Sequence, residues 1–202
     1  MEKIAIDLDK TLIDCDSFIY WIANKYFSDA ISEKELHYCF VEENYVGNNG
    51  LISKLLARFS KMANSNSYKQ IKNSISVVNS WYEKGIKIYI LSSRPNFASL
   101  NLALKQFFVK SNLKYNGMVV NCNNKSKFCE KFDIDLLIDN SPLICLDANI
   151  RGIRSICLNN KINTDKFKNI IFADSWNSID NIVKFENYGV DDFKLIPNKV
   201  RV

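Results

Sequence analysis

The sequence predicts an α/β fold: a doubly wound, Rossmann-like parallel sheet with a small helical cap inserted after the first strand. Three observations predict it. Short apolar runs alternate with segments of helical period along most of the chain, the pattern of strands joined by crossover helices. The first run, Ile4-Ala5-Ile6, delivers two carboxylates, Asp7 and Asp9, to the strand end where open α/β sheets bind ligands. Residues 14–85, mainly helical in period, separate that run from the next. This is too long for a plain crossover helix, so part of it forms a unit of its own.

Composition narrows the classes. A chain of 202 residues can bury one core with a small inserted module. Its 47% apolar and 24% charged residues are ordinary for a globular protein. The net charge of +5 is modest and the lysines are scattered, which speaks against nucleic acid and suits a small anionic substrate. Six cysteines, at 15, 39, 122, 129, 145 and 157, form no CxxC pair, so reduced thiols are expected rather than zinc or disulfides. The single histidine, His37, cannot build a metal site alone. No apolar run is long enough to span a membrane, and the strand at Ile4 leaves no room for a leader before it. A cytoplasmic protein is expected, and a homodimer is left open.

Taken in order, Asp16-Ser17 can cap a helix carrying Phe18, Ile19, Trp21, Ile22 and Tyr26. Ser32-Glu33-Lys34-Glu35 is a capping box opening a second, and Gly47-Asn48-Asn49-Gly50 is a turn. Leu51, Leu55, Leu56 and Phe59 suggest a third helix. Ile71, Ile75, Val78 and Trp81 mark a fourth, from about residue 67 to 84, stopped by Gly85. Residues 14–65 are therefore read as the cap, and 1–13 with 66–202 as the core domain. Strands follow at 86–91, 118–120, 134–138 and 153–158, with a sixth at 170–172. Helices are expected at 97–108, 125–132, 142–151 and after Asp174-Ser175.

The first strand end carries the chemistry. A buried strand ending in Asp-x-Asp is costly unless a cation or aimed donors compensate the charge. A hard divalent cation such as Mg2+ takes carboxylate and carbonyl oxygens. Thr11, two residues on, is read as satisfying loop backbone groups.

The stretch Asp7-Leu8-Asp9-Lys10-Thr11 resembles the first motif of the haloacid dehalogenase-type hydrolases, most of which are phosphatases. Three further parts of the resemblance follow in order: Leu91-Ser92-Ser93-Arg94, Lys125, and Leu137-Ile138-Asp139-Asn140-Ser141-Pro142. The resemblance implies strand order 5-4-1-2-3 with the first motif central. It implies Asp7 as nucleophile, forming an aspartyl-phosphate. It makes Asp9 the general acid and then base, its backbone carbonyl on the metal. Ser92, or its neighbour Ser93, donates to the substrate phosphate. Lys125 holds nucleophile and phosphate together, and Asp7, Asp9 and Asp139 hold Mg2+. Lys125 is preferred to Lys127 because it precedes Asp139 by 14 positions rather than 12, matching two helical turns, a turn and a strand.

Asn140 departs from the acid that many relatives carry there. The Ser-Arg-Pro and Asp-x-Ser-Pro forms look most like the 5'-nucleotidase and deoxyribonucleotidase branch. The expected function is a Mg2+-dependent phosphatase of small phosphate monoesters, nucleoside monophosphates foremost. Aromatic residues such as Phe18, Tyr20, Trp21, Phe40 and Tyr45 could stack on a base or form the cap's own core. The rival reading, which Asn140 supports, is a non-catalytic domain binding a phosphorylated ligand or a protein partner.

Overall fold

β1 (Lys3–Asp7) lies at the centre, its Ile4, Ala5 and Ile6 wholly buried. The computed structural model describes residues 1–14, 16–27, 54–55, 58–59, 61–94, 96, 98–158, 167 and 170–187. β4 (Lys87–Leu91) pairs with one side of β1 and β6 (Leu136–Asp139) with the other, both parallel. β5 (Gly117–Val119) lies outside β4, and β7 (Arg154–Leu158) then β8 (Ile171–Ala173) lie outside β6. The resulting order, β5-β4-β1-β6-β7-β8, is the expected five-strand order with a sixth strand added at one edge.

Alternation along β1 makes the sheet two-faced. Ile4 and Ile6 join a core with Trp81, Trp176 and Ile179, whereas Ala5 faces a second core with Cys129, Ile134 and Ala148. The first face is covered by α2 (Ser74–Glu83) and α6 (Trp176–Asn187), which meet through Trp81 and Trp176, ring centroids 5.9 Å apart. α4 (Lys125–Lys131) and α5 (Pro142–Ile150) cover the other. α3 (Ala98–Ser111) precedes β5 and runs three residues past its expected end.

Register positions the site. Asp7 is paired with Leu91, so Ser92 follows immediately beside it. Ile6 is paired with Ile138, so Asp139 leaves the sheet next to Asp7. The turn after β1 closes tightly: the Leu12 and Ile13 amides both donate to the Leu8 carbonyl at 3.0 Å. Lys10 takes a φ of 60° there, a left-handed conformation that costs a side-chain-bearing residue about 1 kcal/mol.

The helix expected from residue 67 begins only at Ser74. Before it, β3 (Lys69–Gln70) pairs antiparallel with β2 (Ile13–Asp14). Local polar bonds outcompete helix here. Asn64 accepts from the Asn66 amide at 2.9 Å while its own amide donates to Ser67 Oγ at 3.1 Å, closing a 3-10 turn at Ser65–Ser67. Asn73 is left-handed, with φ 65°. At the other end Gly85 stops α2 as expected, at φ 86°.

Within the region read as a cap, α1 (Asp16–Phe27) is helical, as are residues 54–55, 58–59 and 61–62. The second-helix capping box, the Gly47–Gly50 turn, His37, Cys15, Cys39, Phe40 and Tyr45 lie outside the described residues. Cys122, Cys129, Cys145 and Cys157 are buried free thiols. No helix among the described residues is long and apolar enough to cross a membrane.

Candidate active site

Asp7 sits at the C-terminal end of the central strand and is almost wholly buried. α4 supplies its counter-charge. Asn124 caps that helix by accepting from the Lys127 amide at 2.8 Å, which sets Lys125 on the first turn facing the sheet. Its Nζ donates to Asp7 Oδ1 at 2.6 Å and to Asp139 Oδ2 at 2.8 Å, all three side chains being 6% exposed or less. Lys127, two positions on, is exposed.

The second oxygens of both carboxylates are also engaged. Thr11 Oγ1 donates to Asp7 Oδ2 at 2.8 Å, so this hydroxyl bonds the candidate nucleophile rather than loop backbone. The Ser141 amide donates to Asp139 Oδ1 at 2.8 Å. Burial raises the Asp7 carboxyl to about 7, against the pull of Lys125 and with the push of Asp139 and Asp9. Burial works against the Lys125 charge too, but Asp7 and Asp139 outweigh it and hold the ammonium well above its ordinary range.

Asn140 occupies the remaining corner. Its amide lies 3.3 Å from both the Asp9 backbone carbonyl and Asp7 Oδ2. Turned nitrogen-inward, the amide donates to both. Among the described residues no three His, Cys, Asp or Glu side chains form a metal cluster. The Asp7 carboxylate and the Asp9 backbone carbonyl converge there, oxygens of the hard kind that Mg2+ takes, with the Asn140 amide against both. Asp139, expected in that set, is the acceptor between Lys125 and the Ser141 amide.

Motif two divides its hydroxyls. Ser92 is buried, and its Oγ accepts from the Arg94 amide at 3.2 Å. Ser93 Oγ donates to the Cys122 carbonyl at 3.2 Å. The Ser92–Arg94 loop is tied to the end of β5, with Ser92 N donating to Val119 O at 2.9 Å and Asn121 N to Arg94 O at 2.8 Å.

Arg94 is the residue at the site to which sequence reasoning assigns no role. Its Nε donates to Asp9 Oδ2 at 2.6 Å and its Nη2 bonds Asp9 Oδ1, a two-pronged grip on the carboxylate. Nη1 donates to the Tyr68 hydroxyl at 3.2 Å. The guanidinium lies 5.4 Å from the Phe59 ring centre and 5.1 Å from that of Tyr68. The signal the chain offers for it is its position just past a strand end within Ser92-Ser93-Arg94.

Together these groups can do one kind of chemistry. A carboxylate beside a fixed ammonium, with hydroxyl and amide donors around it, can receive a phosphoryl group and stabilise its oxygens.

No family model and no curated protein matches the sequence. Solved structures do match in fold. A predicted phosphatase from Clostridium acetobutylicum is similar over 91% of this chain and 98% of its own, with a TM-score of 0.68 and 15% identity. A predicted phosphoglycolate phosphatase from Haemophilus somnus covers 92% and 98%, with a TM-score of 0.62 and 16% identity. A hydrolase of the haloacid dehalogenase-like family from Streptococcus pneumoniae also covers 92% and 98%, with a TM-score of 0.64 and 11% identity. At such identities the likeness establishes the fold.

Proposed function

We propose, from a chain that carries the fold of haloacid dehalogenase-like hydrolases, a Mg2+-dependent phosphatase of small phosphate monoesters. The observation that carries the reading is the buried Lys125 ammonium held between Asp7 and Asp139. A structural domain has no use for a carboxylate whose charge must be compensated at the rim of the sheet.

Asp7 attacks the phosphorus. A bond forms from its carboxylate oxygen, the phosphorus–ester oxygen bond breaks, and Asp9 gives the leaving oxygen a proton. Asp9 then takes a proton from water, which attacks the aspartyl-phosphate and frees inorganic phosphate. Ser92 and Lys125 bind the phosphoryl oxygens. Asp7, the Asp9 backbone carbonyl and Asp139 would hold Mg2+, with Asn140 beside them. When bound, the metal withdraws charge from the phosphate oxygens. Residues 14–65 act as a cap that shields this site from water, 1–13 and 66–202 being the core domain.

The nucleotidase branch is the finer reading, and it rests on the Ser-Arg-Pro and Asp-x-Ser-Pro forms. The described aromatic residues give it little support: Phe18 stacks on Trp21 at 5.6 Å and meets Phe59 at 5.7 Å, and Phe59 meets Tyr68 at 6.2 Å. These rings partner one another, as a cap core does. Two of the structural neighbours are described as predicted phosphatases, one of them as a phosphoglycolate phosphatase, and the third as a hydrolase. Asn140 favours the second reading, a binding domain without turnover, because it stands where a further acid is expected. Phosphate release from a panel of nucleotides, sugar phosphates and phosphorylated acids, with and without Mg2+, tests both. Turnover that requires Mg2+ supports the phosphatase; no turnover of any ester favours the binding domain.

A further inference from the structure

Asp7 is held at both oxygens: Lys125 Nζ donates to Oδ1 at 2.6 Å and Thr11 Oγ1 to Oδ2 at 2.8 Å. The torsion that turns a carboxylate about its own axis is broad, so one donor leaves it free to swing and a second, on the other oxygen, fixes it. Lys125 is seated by α4. The second donor is a β-branched side chain, whose rotamer is stiff and follows its backbone. Whatever holds the Thr11 backbone therefore aims the hydroxyl.

The turn is closed from within by the Leu12 and Ile13 amides, both on the Leu8 carbonyl. Those bonds leave the carbonyl of Thr11 to be satisfied from elsewhere. Trp176 Nε1 reaches it at 2.7 Å, and both residues are wholly buried. The next carbonyl, that of Leu12, takes two donors, Ser74 Oγ at 2.9 Å and the Ile71 amide at 3.0 Å. The indole itself cannot drift. It lies in the core with Ile4 and Ile6, its ring 5.9 Å from that of Trp81. Without it a buried carbonyl lacks its donor, and the peptide after Thr11 turns to find another, taking Oγ1 with it.

We propose that Trp176, on the last described helix and outside every motif of the site, is a positioning residue: its indole N–H fixes the Thr11 peptide and, through the Thr11 hydroxyl, the rotation of the Asp7 carboxylate. The inference rests on the phosphatase reading, in which Asp7 has to present an oxygen in line with the breaking bond. A misplacement of about 1 Å in such an attack costs about a hundredfold in rate.

The test reads geometry and turnover separately on the full chain. Thr11 and Thr164 are its two threonines, so methyl labelling of threonine gives two signals, and T11V identifies one by removing it. Three-bond couplings at that methyl report the Thr11 rotamer. The parent should hold one rotamer, and W176F should show another or an average. S74A is the control for a lost buried bond, because the Leu12 carbonyl keeps the Ile71 amide, and it should leave the rotamer as in the parent. On the ester turned over fastest, W176F should lower kcat about ten- to a hundredfold and leave KM within about twofold, with S74A within about threefold of the parent in both. In a T11V background the W176F loss should shrink to about threefold or less, since the indole acts through the hydroxyl that is gone. An indole that only packs α6 on the sheet would lower kcat equally in both backgrounds. A Thr11 rotamer unchanged in W176F, a kcat loss undiminished by T11V, or one matched by S74A overturns the positioning role while the phosphatase stands. If the parent hydrolyses no ester, the phosphatase reading falls and the couplings alone decide whether Trp176 sets Thr11. Should W176F not fold, 3-benzothienylalanine placed at 176 by nonsense suppression keeps the ring's volume without the N–H, and the same readings decide.

Discussion

Replacing Lys125 by methionine keeps the stem and removes the ammonium. The structure sets the consequence. Two carboxylates, 6% and 1% exposed, lose the donor that bridges them at 2.6 and 2.8 Å. Breaking a buried pair by deleting one partner costs about 3–5 kcal/mol, because the charge left behind is uncompensated. The pH dependence has a definite sign. Lys125 is held above its ordinary range, so its contribution is fully present throughout the neutral range and is lost only as the pH rises past that of an ordinary lysine. Asp7 is already raised, to about 7, and the variant removes the group that pulls it down. The folded variant therefore takes up a proton at a higher pH than the parent does, and its deficit shrinks as the pH falls through that interval to about 7, below which the parent's Asp7 takes up the same proton. Urea unfolding should show the full loss at about pH 8 and a clearly smaller one at about pH 5. Lys127→Met, at an exposed position, should stay within about 0.5 kcal/mol of the parent at both. A K125M deficit below about 1 kcal/mol, or one equal at the two pH values, would contradict this account of the buried charges.

Asp7→Asn should fold and release no phosphate from any ester, since an amide is a poor nucleophile; phosphate release at the parent rate would end the covalent mechanism. Asn140→Asp places a carboxylate against the Asp9 carbonyl and Asp7 Oδ2, so calorimetry should show Mg2+ bound about tenfold more tightly or better. Unchanged affinity would mean that this corner does not face the cation. Trp176→Phe strips the indole donor from the buried Thr11 carbonyl, a 2.7 Å bond, and should cost about 1–3 kcal/mol in urea unfolding; a loss within experimental error would be incompatible with the bond.

Strand positions are legible in the sequence because each apolar run is flanked by helical period or a turn residue, as at Ile4-Ala5-Ile6 and Ile86 to Leu91. The strand order comes from the family resemblance, since periodicity says nothing about which strands pair. The segment before Ser74 departs from its expected helix although Ile71 and Ile75 share a helical spacing. That spacing does not reveal that the Ile71 amide donates to the Leu12 carbonyl at 3.0 Å. In the site, the resemblance and the 14-position spacing to Asp139 lead to Lys125. The grip of Arg94 on Asp9 joins positions 85 apart, a distance in sequence over which no local rule operates. Asn140 looks like a missing acid in the sequence; only the geometry shows its amide 3.3 Å from the Asp9 carbonyl and from Asp7 Oδ2.

The bond from Trp176 to the Thr11 carbonyl orders events during synthesis. The chain emerges from the ribosome with Asp7 first, yet the turn that orients it waits for an indole 165 residues later. At ordinary translation speeds that interval is roughly ten to thirty seconds. For its duration the nascent chain carries Asp7, Asp9 and Thr11 without the strut that seats their turn, and none of the strands that follow can replace it. The turn is thereby left without its strut until α6 docks. A ribosome stalled short of residue 176 would hold a sheet with its ligands in line but its first loop unlocked.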